Sequence, residues 1–272
     1  MIIWIASYPK SGNTWVRALV SSYLFSDKED FSFELLKKIP KFIQQKFITP
    51  VIKLDEIKKE PLKISKFWEI AQTRINLDSK VKFLKTHNAC VSYEGRWFTN
   101  KKNTAGYVYL VRDPRAVACS LAEHHAISQE KVVNNLLNEN QIGVEESDKM
   151  TEIISSWKIN YQSWKKKKDY NGIVVKFEDL IDNTEVEFEK ILFFLKKIIK
   201  INIDKNKILK SVNACQFLKL SKMEDEHGFE EAIKHKFFRK GEKDSWKNEL
   251  SNDLRKKIEG NFEDEMTELG YL

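Results

Sequence analysis

The chain has 272 residues, 42% of them apolar and 12% aromatic, which is enough to bury a sizeable core and sits at the upper end of what one domain spans. Its 47 Lys and Arg against 40 Asp and Glu leave a formal charge of +7, which favours an anionic ligand without choosing among nucleotide, acidic lipid and nucleic acid. This composition excludes a disordered chain, and with no run of about 18 apolar residues it excludes a helical membrane span.

In chain order, residues 2–6 (IIWIA) read as a buried strand that breaks at Ala6 and Ser7 into a loop, and a helix-like stretch starts near Asn13. A strand, a Gly-containing loop and a helix N-terminus aim several backbone N–H groups at one point, which suits phosphate, and Lys10 adds a full positive charge there. The loop is not a Walker A sequence, because GxxxxGK[ST] needs a glycine four residues before a Gly-Lys pair and here Lys10 precedes Gly12. Residues 26–66, with Pro40, Pro50 and Pro61, read as irregular helices and loops. Further buried strands are expected at 81–86 (VKFLKT), 107–111 (YVYLV) and 173–177 (IVVKF).

Helical spacing joins Ile153, Trp157, Tyr161 and Trp164, and later Phe188, Ile191, Leu192 and Leu195. Residues 123–150 form a polar excursion, and neither an internal repeat nor a linker divides the chain. Strands alternating with helices predict an α/β fold, a single domain over 1–272 with a central parallel sheet flanked by helices. Ligands then bind beyond the carboxyl ends of the strands.

Each chemically suggestive string falls at such an end. Ser7 to Trp15 follows the first strand, Lys85-Thr86-His87 closes the second, and Arg112 closes the third. Asp113 and Pro114 suit the N-cap and first position of a helix that carries Ser120. A neutral imidazole at His87 has the right basicity to take a proton in a transition state. Arginine is scarce, at seven positions, and Arg17, Arg112, Arg115 and Arg239 lie in or beside these strings, where a fork-shaped anion is best held.

On the residues alone, an ordinary strand-to-helix turn and a capped helix with Arg112 in a surface ion pair fit as well. His124 and His125 face different ways on one helix and read as surface or loop-contacting groups. Lys165 to Lys168 read as the solvated end of a helix. Cys90, Cys119 and Cys215 lack metal-ligand spacing, so they are expected reduced and partly buried.

Four strings in this order, PKSGNTW from Pro9, KTH from Lys85, Arg112 with Ser120, and FFRKG from Phe237, resemble those of the sulfotransferases that use 3′-phosphoadenosine 5′-phosphosulfate (PAPS). The resemblance implies a P-loop-like nucleotide-binding fold. In it, Lys10, Ser11, Gly12, Asn13 and Thr14 hold the 5′-phosphosulfate and Trp15 packs on adenine. Arg112 and Ser120, with Arg239, Lys240 and Gly241 on a closing loop, grip the 3′-phosphate.

It further implies in-line transfer of a sulfuryl group to an acceptor hydroxyl. His87 is then the general base, Lys10 stabilises the leaving phosphate, Lys85 meets the sulfuryl oxygens, and the product is the desulfated nucleotide PAP, without a metal. Departures are Asp244 and Ser245, where relatives have Gly then Asp before the tryptophan, and Phe177 before the Glu-Asp pair, where a tyrosine is usual. Lys247 is followed by NELSNDLRK, which lacks the Thr-Val and Glu of the animal dimer stretch, so the oligomeric state stays open.

The expected acceptor is a small molecule, glycan or lipid, held by residues 26–66, by Tyr93, Trp97 and Phe98, and by 222–235. Nucleic acid is not an expected partner. The N-terminus shows no basic region followed by a long apolar stretch, so a cytoplasmic protein without stable membrane insertion is expected. Two other classes are a P-loop nucleoside or nucleotide kinase, whose glycine spacing fails here, and a non-catalytic basic protein on RNA or membrane, which leaves His87 and the order of the strings unexplained.

Overall fold

A computed structural model describes every residue except 29, 145–149, 168, 233 and 240, and gives the main chain alone at 54, 58 and 144. Four strands, β1 (Ile2–Ser7), β2 (Lys82–Thr86), β3 (Thr104–Val111) and β4 (Gly172–Lys176), form one parallel sheet in the order β2-β1-β3-β4. All of β1 is buried, because helices and loops cover both faces and a two-sided core admits apolar residues at every position.

Alternate residues still divide between two cores. Trp4, Ala6, Tyr107 and Tyr109 face one, with Phe98, Trp157 and Trp164; Ile3, Ile5, Val108 and Leu110 face the other, with Leu19, Phe188 and Leu192. The second core is covered by helix α1 (Asn13–Phe25) and by Phe188 and Leu192 of a later helix, Thr184–Lys196.

The expected strands are present with ends displaced by no more than three residues. The largest displacement is in β3, which starts at Thr104 and runs through Gly106, where a Cβ would come within 2.5 Å of Ile198. Two short antiparallel hairpins, Ser92–Tyr93 with Arg96–Trp97 and Ile142–Val144 with Thr151–Ile153, were not expected, since two- and three-residue strands leave no period to read. Residues 26–66 form 3-10 and short α-helical turns, as expected. Lys165 ends the helix Trp157–Lys165, and Lys168 of that basic run lies outside the described residues. The three cysteines form no disulfide and are buried, more deeply than the partial burial expected.

The chain leaves β1 toward β2 on one side and later returns to β3 on the other, so a crevice opens beyond the carboxyl ends of β1 and β3. The Arg112 guanidinium spans it, donating to the Lys10 carbonyl at 3.1 Å. Among the described residues no helix is long and apolar enough to cross a membrane.

Candidate functional site

A cleft of about 700 Å³ lies over this crevice. Its floor is the loop between β1 and α1, whose path requires two residues at positive φ, Lys10 at 61° and Gly12 at 91°. For Gly12 there is a second constraint, since a Cβ would lie 2.6 Å from the Phe177 ring.

Helix α1 begins with no side-chain cap and no acidic residue in its first turn, so its leading N–H groups and partial positive charge are left for another anion. Asn13 braces the loop, its Nδ2 donating to the Ile5 carbonyl at 3.0 Å and to Ser7 Oγ at 3.2 Å. Ser11 Oγ and Asn13 Oδ1 are buried without a partner, which in a folded protein marks a place for a ligand or water. Ser11 lies beneath the loop, whereas Lys10, Gly12, Asn13, Thr14 and Trp15 line the cleft itself.

Lys10 Nζ sits 3.7 Å from the centroid of the Phe237 ring. Burial, with Arg112 and Lys85 close by, lowers its pKa to about 7. Such a group is short of negative charge.

Arg112 follows β3. One amino group bonds the Lys10 carbonyl, the other donates to the Glu242 carbonyl at 3.0 Å, and Nε is buried without a partner. Its guanidinium lies 4.3 Å from the Phe177 centroid. Helix α2 (Pro114–His125) starts next, with Asp113 accepting from Arg115 N as N-cap and Pro114 in the first turn, and it carries Ser120 into the same cleft.

Trp15 donates from Nε1 to the Cys215 carbonyl at 2.9 Å and stands edge-on to Phe177, with Phe217 elsewhere on the lining. Gly241 also lines the cleft, at φ 64°, its missing Cβ leaving room for the Phe217 ring. Arg239 reaches the cleft but is ion-paired with Glu123, and Lys240 lies outside the described residues.

Lys85 and His87 close the far side. His87 Nδ1 is 2.8 Å from the Ser7 carbonyl, which can only accept, so Nδ1 carries the proton and Nε2 is left with its lone pair. Burial, followed by Lys85 and Lys41, lowers the imidazole pKa to about 4 against the opposing pull of Glu152, so the ring is neutral at ordinary pH.

The buried Glu152, on the unexpected hairpin, accepts from the His87 backbone N–H at 2.9 Å and pairs with Lys41 at 2.8 Å. Burial works against its ionisation, but Lys41 and His87 prevail and hold its pKa below the usual carboxylate range. Asn160 donates to the His87 carbonyl at 3.0 Å and fixes the other side of that residue.

One group stands out against the expected pattern. The Glu231 carboxylate accepts from Thr14 Oγ1 at 2.7 Å and pairs with Lys85 at 3.0 Å and with Arg17 at 2.5 Å. Burial would raise its pKa, but Lys85 and Arg17 outweigh that and hold it well below the usual carboxylate range.

Thus the structure brings the described site residues predicted from sequence to one cleft, except Ser11, which is buried in the loop and does not line it. It corrects three other readings. Tyr93, Trp97 and Phe98 do not line the cleft: Phe98 is core, Tyr93 packs against it, and Trp97 is exposed under Lys167. Of the two readings of His124 and His125, the outer surface fails and the loop contact holds: both line the cleft, and His124 meets the loop through the Phe237 ring at 5.8 Å. Arg112 sits in the cleft, holding main-chain carbonyls, not in a surface ion pair.

Arg17, Lys41, Glu152, Phe217, Glu231 and Phe237 were not picked out for roles. Arg17 left a signal as a rare arginine one turn into α1, Phe237 opens the FFRKG string, and Lys41 and Glu231 fall within the segments expected to hold the acceptor. Among the described residues no group of three or more His, Cys, Asp or Glu could hold a metal.

A family model described as "Sulfotransferase domain" matches residues 2–270. The chain is 24% identical to sulfotransferase 1 family member D1 of Mus musculus over 273 residues, covering 96% of this chain and 81% of that protein. It is also 24% identical to flavonol 3-sulfotransferase of Flaveria bidentis over 288 residues, covering 99% and 83%. Its fold is similar to that of the mouse sulfotransferase SULT7A1 complexed with PAP (TM-score 0.61, 18% identity, 97% of this chain and 84% of that one). It is similar too to that of retinol dehydratase in complex with androsterone and inactive cofactor PAP (TM-score 0.62, 18% identity, 97% and 80%).

Proposed function

The chain belongs to the sulfotransferase family, and from that premise we propose that it transfers a sulfuryl group from PAPS to an acceptor hydroxyl by in-line displacement with His87 as general base. The observation that carries this reading is the set of unmet donors around one crevice. The uncapped N-terminus of α1, Ser11 Oγ and Arg112 Nε are all short of a partner, and the half-buried Lys10 lacks enough negative charge. A nucleotide with a 5′-phosphosulfate and a 3′-phosphate would satisfy them together.

In this reading Lys10, Ser11, Gly12, Asn13 and Thr14 hold the 5′-phosphosulfate. Arg112 and Ser120, with Arg239, Lys240 and Gly241, hold the 3′-phosphate once Arg239 exchanges Glu123 for it. Trp15 and Phe217 offer aromatic surface for the adenine. His87 Nε2 takes the acceptor proton as the acceptor oxygen bonds to sulfur and the bond from sulfur to the phosphate oxygen breaks. Lys85 faces the sulfuryl oxygens and Lys10 neutralises charge growing on the departing phosphate. Positioning and electrostatics suffice for such a transfer, so no metal is needed in this scheme.

The acceptor is a small molecule, a glycan or a lipid, reaching His87 past Lys41, Gln44 and Ile154 on the cleft wall. The test is direct. PAP should raise the unfolding temperature without Mg²⁺, and PAPS labelled in its sulfuryl group should mark acceptors in an extract of the protein's own cells. A chain that neither binds PAP nor consumes PAPS would end the proposal, and a strict need for Mg²⁺ would point to a kinase.

A further inference from the structure

The Thr14 hydroxyl has a single proton, and it is given to Glu231. Arg17 is held by two main-chain carbonyls, Nε to Ile39 at 3.1 Å and one amino group to Leu36 at 3.3 Å, so its remaining arm has one direction, and that arm meets the same carboxylate. Lys85 Nζ completes the seat. These three donors come from α1 and β2, 146 or more positions away in sequence from the acid they share.

The segment that brings Glu231 also lays Phe237 over Lys10, and it is anchored from below by Glu224, whose carboxylate accepts from the Phe237 and Phe238 N–H groups at 2.6 and 2.8 Å. A phosphosulfate and the Glu231 carboxylate cannot both take the Thr14 proton or fill the space between Thr14, Arg17 and Lys85.

We propose that Glu231 is a built-in stand-in for the donor's anion, seated between Thr14, Arg17 and Lys85, and that Arg17 is a donor-binding residue which passes from Glu231 to the donor when the nucleotide enters. The identity of the displacing anion rests on the PAPS reading; the competition itself does not. Without a donor, the carboxylate offsets the mutual repulsion of Arg17, Lys85 and Lys10 in a buried cleft. With one, a more highly charged anion takes the same seat and Glu231 moves out. The cost of evicting Glu231 lowers the affinity for donor and product alike, which favours release of the product.

The experiment compares Glu231→Gln and Glu231→Ala with the parent, using PAP and inorganic sulfate as separate probes. Each variant should bind PAP about tenfold more tightly by calorimetry, and half-maximal thermal stabilisation should need about tenfold less sulfate, as expected when one charge-assisted contact no longer has to be broken. Adding Arg17→Met to Glu231→Gln should remove the gain with sulfate. Equal or weaker binding of both probes by the two Glu231 variants overturns the proposal, even if PAP binds the parent well and the sulfotransferase reading stands. A sulfate gain in a protein that never binds PAP would keep the seat and discard the PAPS reading.

Discussion

The two walls of the cleft are made in different ways. The wall at the ends of β1 and β3 is built from main chain: consecutive residues Lys10 to Trp15, an uncapped helix start and the Arg112 fork between two carbonyls. The opposite wall is built from side chains brought from distant places, Lys41, Glu152 and Glu231 among them. The first wall can serve a phosphate in any protein with the same turn. The second depends on which side chains happen to meet, and it is there that the Glu231 contact forms.

Predictions can break or sharpen this contrast, the largest effect coming first. His87→Ala should lower turnover by about 10²- to 10⁴-fold, with PAP affinity nearly unchanged, because on the proposed mechanism it removes the base from the side-chain wall and leaves the main-chain wall intact. An unchanged single-turnover rate would take His87 out of the chemistry. Arg112→Ala should do the opposite, weakening PAP by about 10- to 100-fold, the range for hydrogen bonds to a charged group. Equal binding by calorimetry would show that the 3′-phosphate lies elsewhere.

A pH series tests Lys10. Its pKa near 7 in the free protein means that the ammonium is present below pH 7 and lost above it, so PAP affinity should fall about tenfold for each pH unit above about 7. Over that range binding should also take up a proton, seen as a dependence of the heat on the buffer. A flat profile between pH 6 and 9 would remove Lys10 from the phosphate contact. The smallest effect expected is on stability. Gly12→Ala forces a Cβ against Phe177 at a left-handed backbone position and should cost about 1–3 kcal/mol in urea unfolding.

The same contrast explains what the sequence reveals. The four sheet strands are legible because a doubly covered parallel strand is a continuous apolar run, as in IIWIA. The turn after β1 is legible because an anion loop is local chemistry. The start of β3 is hidden by Thr104, Ala105 and Gly106, a stretch that packs tightly without being strongly apolar.

Glu152 and Glu231 are hidden for another reason. Each is one acid among 40, and its meaning comes from partners such as His87 or Arg17 that only the fold supplies. Tyr93, Trp97 and Phe98 mislead in the opposite sense, since an aromatic cluster soon after Lys85-Thr86-His87 suggests a pocket, whereas packing places Phe98 in the core.

The strand order also bears on how the molecule comes to exist. β1 lies inside the sheet and pairs Ile2 with Lys82 on one side and with Thr104 on the other, so one edge of this strand waits for a partner that lies about a hundred residues further along the chain. Closing such long loops is slow, and an unpaired IIWIA segment is sticky while it waits. Because the Lys10–Trp15 turn hangs from that strand, nucleotide bound there as proposed would depend on this pairing being complete, and added PAP should improve the yield of refolding.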